Sequence, residues 1–344
     1  MIPEKNRESG SLHPPSTTTT AILIVNLGTP ESPTIGGVRQ YLKTFLWDKR
    51  VVEIPRVIWG FILYGFILPF RPLKLTKLYQ QIWTENGSPL RTYTVSLAKR
   101  LSDHLSIKLG VTIPVLPAMT YGTPSYLKAI ETIIHLQIQH LVVLPLFPQY
   151  SSTTTAAAYD ALARALSKSR QIPSVYFIRE YGLEAYYIQA LVLHISSYWK
   201  ENGRSEYLLF SFHGIPKRNE DLGDTYPEQC RKTALQVANL LKMPENNWSV
   251  SFQSRFGWNT WVQPYTDEIL ISLAHKGFHS VDIVSPGFAV DCLETLEELG
   301  KLNFNRFIKA GGKQFRVIPA LNDTPLHVDA LSNILKKYLQ CSMY

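Results

Sequence analysis

The chain has 344 residues, 45% hydrophobic and 18% charged, a balance that excludes a disordered polymer and leaves room for one large or two ordinary domains. The formal charge is +8, from 35 basic and 27 acidic side chains, yet the basic residues are scattered and cluster at most in pairs such as Lys217-Arg218 and Lys336-Lys337. A nucleic-acid tract is excluded by that dispersal, whereas an anionic small substrate or an acidic membrane surface suits it.

Residues 1–20 are polar and lack the apolar centre of a signal peptide, so they read as a loose leader. "AILIVNLG" (21–28) is the first predicted strand, followed by a helix over 35–46. The stretch "VIWGFILYGFILPF" (57–70), between Arg56 and Arg71, falls short of the roughly 20 residues that span a bilayer. It reads either as a buried helix, which two glycines and a proline make uncomfortable, or as a surface lip for membrane or apolar ligand. A helix over 89–109, the strand "VTIPVLPAM" (111–119), a helix over 124–138, the strand "HLVVLPLF" (140–147) and a helix over 154–168 complete the first half.

The second half repeats the scheme. Strands "EYLLFSFHG" (206–214), "WSVSFQSRFG" (248–257) and "SVDIVSPGF" (280–288) alternate with helices near 228–242, 262–276 and 292–300. "AILIVNLGTP" echoes "EYLLFSFHGIP", and "HLVVLPLFPQY" with its helix echoes "SVDIVSPGFAV" with its own. This βα alternation predicts two similar α/β lobes, each a four-stranded parallel sheet flanked by helices, with a cleft between them. The expected boundaries are a leader 1–20, an N-terminal lobe 21–180 with its lip at 57–74, and a C-terminal lobe 181–325. A last helix, 326–344, would pack back on the N-terminal lobe.

Three cysteines, Cys230, Cys292 and Cys341, stand far apart without a CxxC pair, so neither a zinc knuckle nor a disulfide framework is expected. Ligands of open parallel sheets bind beyond the carboxyl ends of the strands. His213 falls at such an end, as do Asn26, Tyr121, Tyr150 and Arg255. A histidine there is more often merely hydrogen-bonded than functional. Asp291, Glu294 and Glu298, spaced by three and four, would share one helix face just after a Pro-Gly turn. A solvated helix side is the ordinary reading of such a row. With one imidazole opposite, it also suits a borderline divalent metal that is bound and released. HExxH, P-loop and GxSxG motifs are missing, which removes the usual support for metalloprotease, NTPase and serine hydrolase readings.

The segment "LLFSFHGIPKRNEDLGDTY" resembles the signature of the ferrochelatase family. The resemblance runs from about residue 21 to 325 through "NLGTPESPT", "YLKTFLWDKRVV", "GSPL", "LPLFPQYSSTTT", "FQSRFG" and "PGFAVDCLETLEEL". Its "DCLETLEEL" form is more similar to proteobacterial, protoporphyrin-using members than to coproporphyrin-using ones. The resemblance implies two Rossmann-like lobes and a lyase that inserts Fe(II) into protoporphyrin IX, the terminal step of haem biosynthesis. His213 and Glu294 would be catalytic and metal-binding, with Glu298 and Asp291 as relay or supporting groups. Porphyrin contacts would come from Leu27, Phe45, Tyr79, Ser88, Phe288 and Trp261, from the lip cations Arg71 and Lys74, and from Tyr121, Tyr150 and Arg255 at strand ends.

Thr120 stands where many relatives carry arginine, and Ser152 where some carry a cluster cysteine. No [2Fe–2S] cluster is therefore expected, and iron is substrate rather than resident cofactor. Reversible membrane contact, a cytoplasmic location with a peripheral membrane position left open, and no nucleic-acid partner complete the expectation. Coproporphyrin III ferrochelatase or cobalt chelatase on the same fold is the alternative. A solute-binding protein and a haem-binding chaperone are the rivals outside catalysis; the first is disfavoured by His213 set with a carboxylate row.

Overall fold

The first sheet is seeded by "AILIVN", whose side chains are buried on both faces, as a central strand of a parallel sheet requires. A computed structural model describes residues 19–340 apart from 256 and 258. All but the last two residues of the expected leader, and Cys341, lie outside the described residues. In chain order the first half comprises β1 (Thr20–Asn26), α1 (Ile35–Leu46), α2 (Arg56–Ile62), α3 (Leu68–Ile82), α4 (Pro89–Leu109), β2 (Val115–Met119), α5 (Tyr126–His135), β3 (His140–Pro145), α6 (Ala157–Leu166), β4 (Ser174–Phe177) and α7 (Ala185–Asn202). The second half comprises β5 (Tyr207–His213), α8 (Lys217–Asp221), α9 (Tyr226–Leu240), β6 (Trp248–Gln253), α10 (Thr266–His275), β7 (Ser280–Val284), α11 (Phe304–Lys309), β8 (Gln314–Val317) and α12 (Pro325–Gln340). Wider π turns occupy Leu63–Ile67, Ser152–Ala156 and Glu294–Asn303.

The strands form two four-stranded parallel sheets, ordered β2-β1-β3-β4 and β6-β5-β7-β8. The echo between the halves is therefore structural: β1 and β5 occupy the same place in their sheets, as do β3 and β7. β4 and β8 are short edge strands, and neither was located by sequence reading. Exposure explains this for β4, which has no run of buried apolar residues to mark it.

Local chemistry fixes the helix starts. Thr34 accepts from the Gly37 amide at 3.1 Å and Ser125 from the Lys128 amide at 3.3 Å, each satisfying an orphan donor of a first turn. Pro89 opens α4, where its missing N–H costs nothing, and Gly110 closes it at φ +70°. One apolar core joins the lobes, running from Ile24, Leu97 and Leu144 to Phe210, Phe212, Val237 and Leu335. α12 lies against α4 and α7. Truncating a residue such as Phe210 to Ala would cost about 3–5 kcal/mol.

The 57–70 stretch differs from the fourteen-residue segment expected. It belongs to a continuous helical run, Arg56–Ile82, of 27 residues, long and apolar enough to cross a membrane by length and composition. Trp59, Leu63, Leu68 and Tyr79 bury one side of it against α1, and the Trp59 indole donates to the Leu46 carbonyl at 2.7 Å. The other side is open, with Phe61 75% and Phe66 70% exposed. The π turn accommodates Gly65, and Pro72 sits inside the third segment, so the glycines and prolines shape the helix without ending it.

Candidate active site

His213 is the last residue of β5. The ladder continues one step beyond it, because the Gly214 amide donates to the Gln253 carbonyl at 2.8 Å. A Cβ on residue 214 would lie 2.9 Å from that carbonyl and 3.2 Å from the Trp261 ring, so only glycine fits between the Gln253 backbone and Trp261. The His213 Nδ1 lies 2.6 Å from the Gly214 carbonyl oxygen. A carbonyl can only accept, so Nδ1 carries the proton and Nε2 the lone pair of the neutral ring. The Phe288 ring stands 6.4 Å from the imidazole, centre to centre.

Two carboxylates come from the π segment Glu294–Asn303. Ser254, just past β6, grips Glu298 with both its groups: amide to Oε1 at 2.9 Å and hydroxyl to Oε2 at 2.5 Å. Ser254 does so at φ +66°, a left-handed conformation unusual for a residue other than glycine. Burial raises the Glu298 pKa, and nearby Glu294 adds to this. The Ser254 bonds and the His213 charge work against that rise without cancelling it. Glu298 thus stands within the electrostatic reach of both His213 and Glu294.

Glu294 faces the other lobe. Burial, then the charge of Glu294, push the Tyr41 phenol well above its usual range, so it stays protonated. Burial lowers the Arg71 pKa, opposed by Tyr41 and Glu294, so Arg71 feels the charge of Glu294 from the lip helix. Burial, assisted by Glu294, likewise holds Cys292 as a thiol. Behind Tyr41 the wall is aromatic: Phe45 stacks on it at 5.8 Å and meets Tyr121 edge-on at 5.2 Å. Leu27 closes the end of β1, where its carbonyl accepts from the Tyr121 amide at 2.8 Å. Among the described residues, no three His, Cys, Asp or Glu side chains gather closely enough to hold a metal ion.

Phe288 stands by His213 and Trp261 by Gly214, while Arg71, Tyr41 and Tyr79 feel the charge of Glu294 and Phe45 stacks on Tyr41. Other sequence candidates are otherwise engaged. Tyr121 is buried and donates to Asp48 at 3.0 Å, and buried Ser88 accepts from Thr29 at 2.8 Å. The Tyr150 ring lies under Arg179 at 4.2 Å, while its amide donates to Gln229. Arg255 is exposed, paired with Asp267 and Glu268 at 3.0 Å each and laid over Tyr265. Lys74 is exposed.

Asp291 departs furthest from its expected place. It precedes the helical winding rather than sharing its acidic face, and it is buried. Its carboxylate accepts from Thr295, Asn322 and the Ala320 amide. Sequence reading missed Tyr41 and Ser254. Tyr41 was readable as the aromatic partner of Phe45 at helical spacing; nothing local marked Ser254, whose role depends on the distant Glu298.

Paired parallel sheets of like strand order, with an imidazole at a strand end and two carboxylates on the π segment that follows β7, define a two-lobed α/β protein with a candidate proton- and cation-handling site. SirB from Bacillus subtilis, solved with Fe3+, shares this fold at a TM-score of 0.53 and 13% identity, over 92% of this chain and 94% of that one. The ferrochelatase family model matches residues 19–339, and the chain belongs to the ferrochelatase family. It is 47% identical over 325 residues to the ferrochelatase of Methylococcus capsulatus, covering 94% of this chain and 98% of that protein. Against the Aeromonas hydrophila ferrochelatase it is 45% identical, covering 94% and 99%, and against that of Escherichia coli 44%, covering 93% and 99%.

Proposed function

We propose that the chain is a lyase that inserts Fe(II) into protoporphyrin IX to form protohaem. Within this family's fold, one observation carries the reading: a histidine whose Nδ1 is spent on a carbonyl, leaving Nε2 as a base beside two carboxylates. Insertion exchanges two pyrrole N–H protons for one Fe(II), so the site must accept protons while admitting a dication. Neutral His213 Nε2 takes the two ring protons in turn. Glu298, whose acid form is favoured by burial, receives each one and passes it toward solvent before the next arrives. Glu294 supplies negative charge where iron enters, and Arg71 balances that charge when the metal is away. Phe288, Trp261, Tyr41 and Phe45 offer apolar faces to the macrocycle. No resident cofactor is required, since iron is a substrate.

The reading is tested by following porphyrin absorbance with purified protein and anaerobic Fe(II). Protoporphyrin IX and coproporphyrin III, each with Fe(II) and Co(II), separate the main reading from its alternative. Faster turnover of coproporphyrin III, or of Co(II), would replace it.

The open side of the Arg56–Ile82 run supports a reversible docking on anionic membrane from the cytoplasmic side. Val57, Ile58, Phe61, Phe66 and Phe70 are exposed, and no carboxylate occurs between Glu53 and Glu85 while Arg56, Arg71, Lys74 and Lys77 do. A groove of about 620 Å³ beside it, lined by Arg39, Lys43 and Tyr64, continues the same mix of cation and apolar surface.

A further inference from the structure

Two adjacent residues after β8 face opposite ways. Asp323 turns to the N-terminal lobe: Ser96 of α4 donates to its carboxylate at 2.5 Å, and Arg100 donates to its carbonyl at 2.6 Å. Asn322 turns to the other lobe and engages the turn that precedes Glu294. Its own amide donates to the Ala289 carbonyl at 3.1 Å. Its side chain is bidentate on one residue: Oδ1 accepts from the Asp291 amide at 2.8 Å, and Nδ2 donates to Asp291 Oδ2 at 2.7 Å.

The chain of bonds goes on. Asp291 Oδ1 accepts from the Thr295 hydroxyl at 2.8 Å, and Thr295 Oγ1 accepts from the Cys292 amide at 3.0 Å. Thr295 is the immediate neighbour of Glu294 in the π segment. All these groups are buried, so each bond lost leaves an unpaired polar atom. Only a carboxamide meets the need at 322, where one donor and one acceptor must match an amide and a carboxylate at once. Asparagine also tolerates the φ of +50° found there.

We propose that Asn322 is a positioning residue: through Asp291 and Thr295 it fixes the start of the π segment and hence where Glu294 and Glu298 stand. Because Asp323 is held by α4, the two lobes meet in this strut. The proposal rests on the chelatase reading for its effect on turnover, but not for its structural content.

A swap tests it. Asn322→Asp sets two carboxylates against each other, and Asp291→Asn sets two amide donors against each other. The double variant Asp291→Asn/Asn322→Asp restores one donor facing one acceptor and keeps every other bond. Each single variant is expected to lose about 10- to 100-fold in kcat, the usual effect of removing a group that orients a metal-site residue. The porphyrin KM should change little, and the double variant should regain most of the loss. Hydrogen exchange of peptides covering 290–303 should quicken in the single variants and slow again in the double. Should a single variant not fold, Thr295→Val cuts the same chain of bonds one link later.

Unchanged exchange in the folded variants, or activity per folded molecule indifferent to both singles, overturns the strut. A double variant as inactive as Asp291→Asn also overturns it, by making Asp291 a reacting group. Wild type that inserts no metal sinks the chelatase reading alone, and the exchange experiment then still decides the strut.

Discussion

His327, in the first turn of α12, should make the protein acid-labile in a defined window. The side chain is fully buried; its Nδ1 is 2.5 Å from the Asn322 carbonyl, and its Nε2 has no partner. Burial pushes its pKa down to about 4 from the ordinary 6.5, and the Asn322 carbonyl opposes this only in part. Between those two values the unfolded chain carries one more proton than the folded chain. Stability therefore falls as pH drops through the window, by about 1.4 kcal/mol per unit and about 3 kcal/mol in all.

Carboxylates contribute acid lability of their own, so the informative quantity is a difference. His327→Phe removes the titration and leaves the Asn322 carbonyl unpaired, a pH-independent cost of about 1–3 kcal/mol. Urea unfolding of both proteins at several pH values gives that difference directly. It should be flat above pH 6.5, with wild type the more stable, and should shift toward the variant by about 3 kcal/mol as pH approaches 4. A gap that does not change with pH would refute the reasoning.

Three other outcomes follow from the site. Glu298→Gln should lower turnover yet gain melting temperature relative to wild type as pH rises through the carboxylate range, because a raised acid destabilises the fold once ionised; equal melting at all pH values contradicts this. Glu294→Gln should slow insertion strongly with porphyrin affinity retained, checked by fluorescence quenching and steady-state rates; near-normal rates would make Glu294 structural. Phe61→Ser with Phe66→Ser should weaken binding to anionic liposomes while changing urea stability by less than about 1 kcal/mol, since both rings are exposed. A loss of several kcal/mol would instead mark the segment as core.

What the sequence revealed about the fold tracks burial. The central strands could be read because β1 and β5 are buried on both faces and so spell unbroken apolar runs, whereas β4 spells nothing distinctive. The lip expected over 57–74 is part of a longer element, because the helix runs on past the apolar stretch and Lys74 to Ile82. His213 and Glu294 stood out through the motifs around them. Asp291 was misplaced because α-helical spacing was assumed where the chain is still turning and the winding that follows is π. The pairings of Ser254 with Glu298, and of Asn322 with Asp291, join residues 44 and 31 apart, and no local pattern announces such contacts.

The most direct test of the central claim compares wild type with His213→Ala in one assay, protoporphyrin IX with anaerobic Fe(II), followed by absorbance. The account predicts that wild type converts the free porphyrin to haem, and that the variant, folded and still binding porphyrin, leaves it almost unconverted. Substantial insertion by His213→Ala would contradict it.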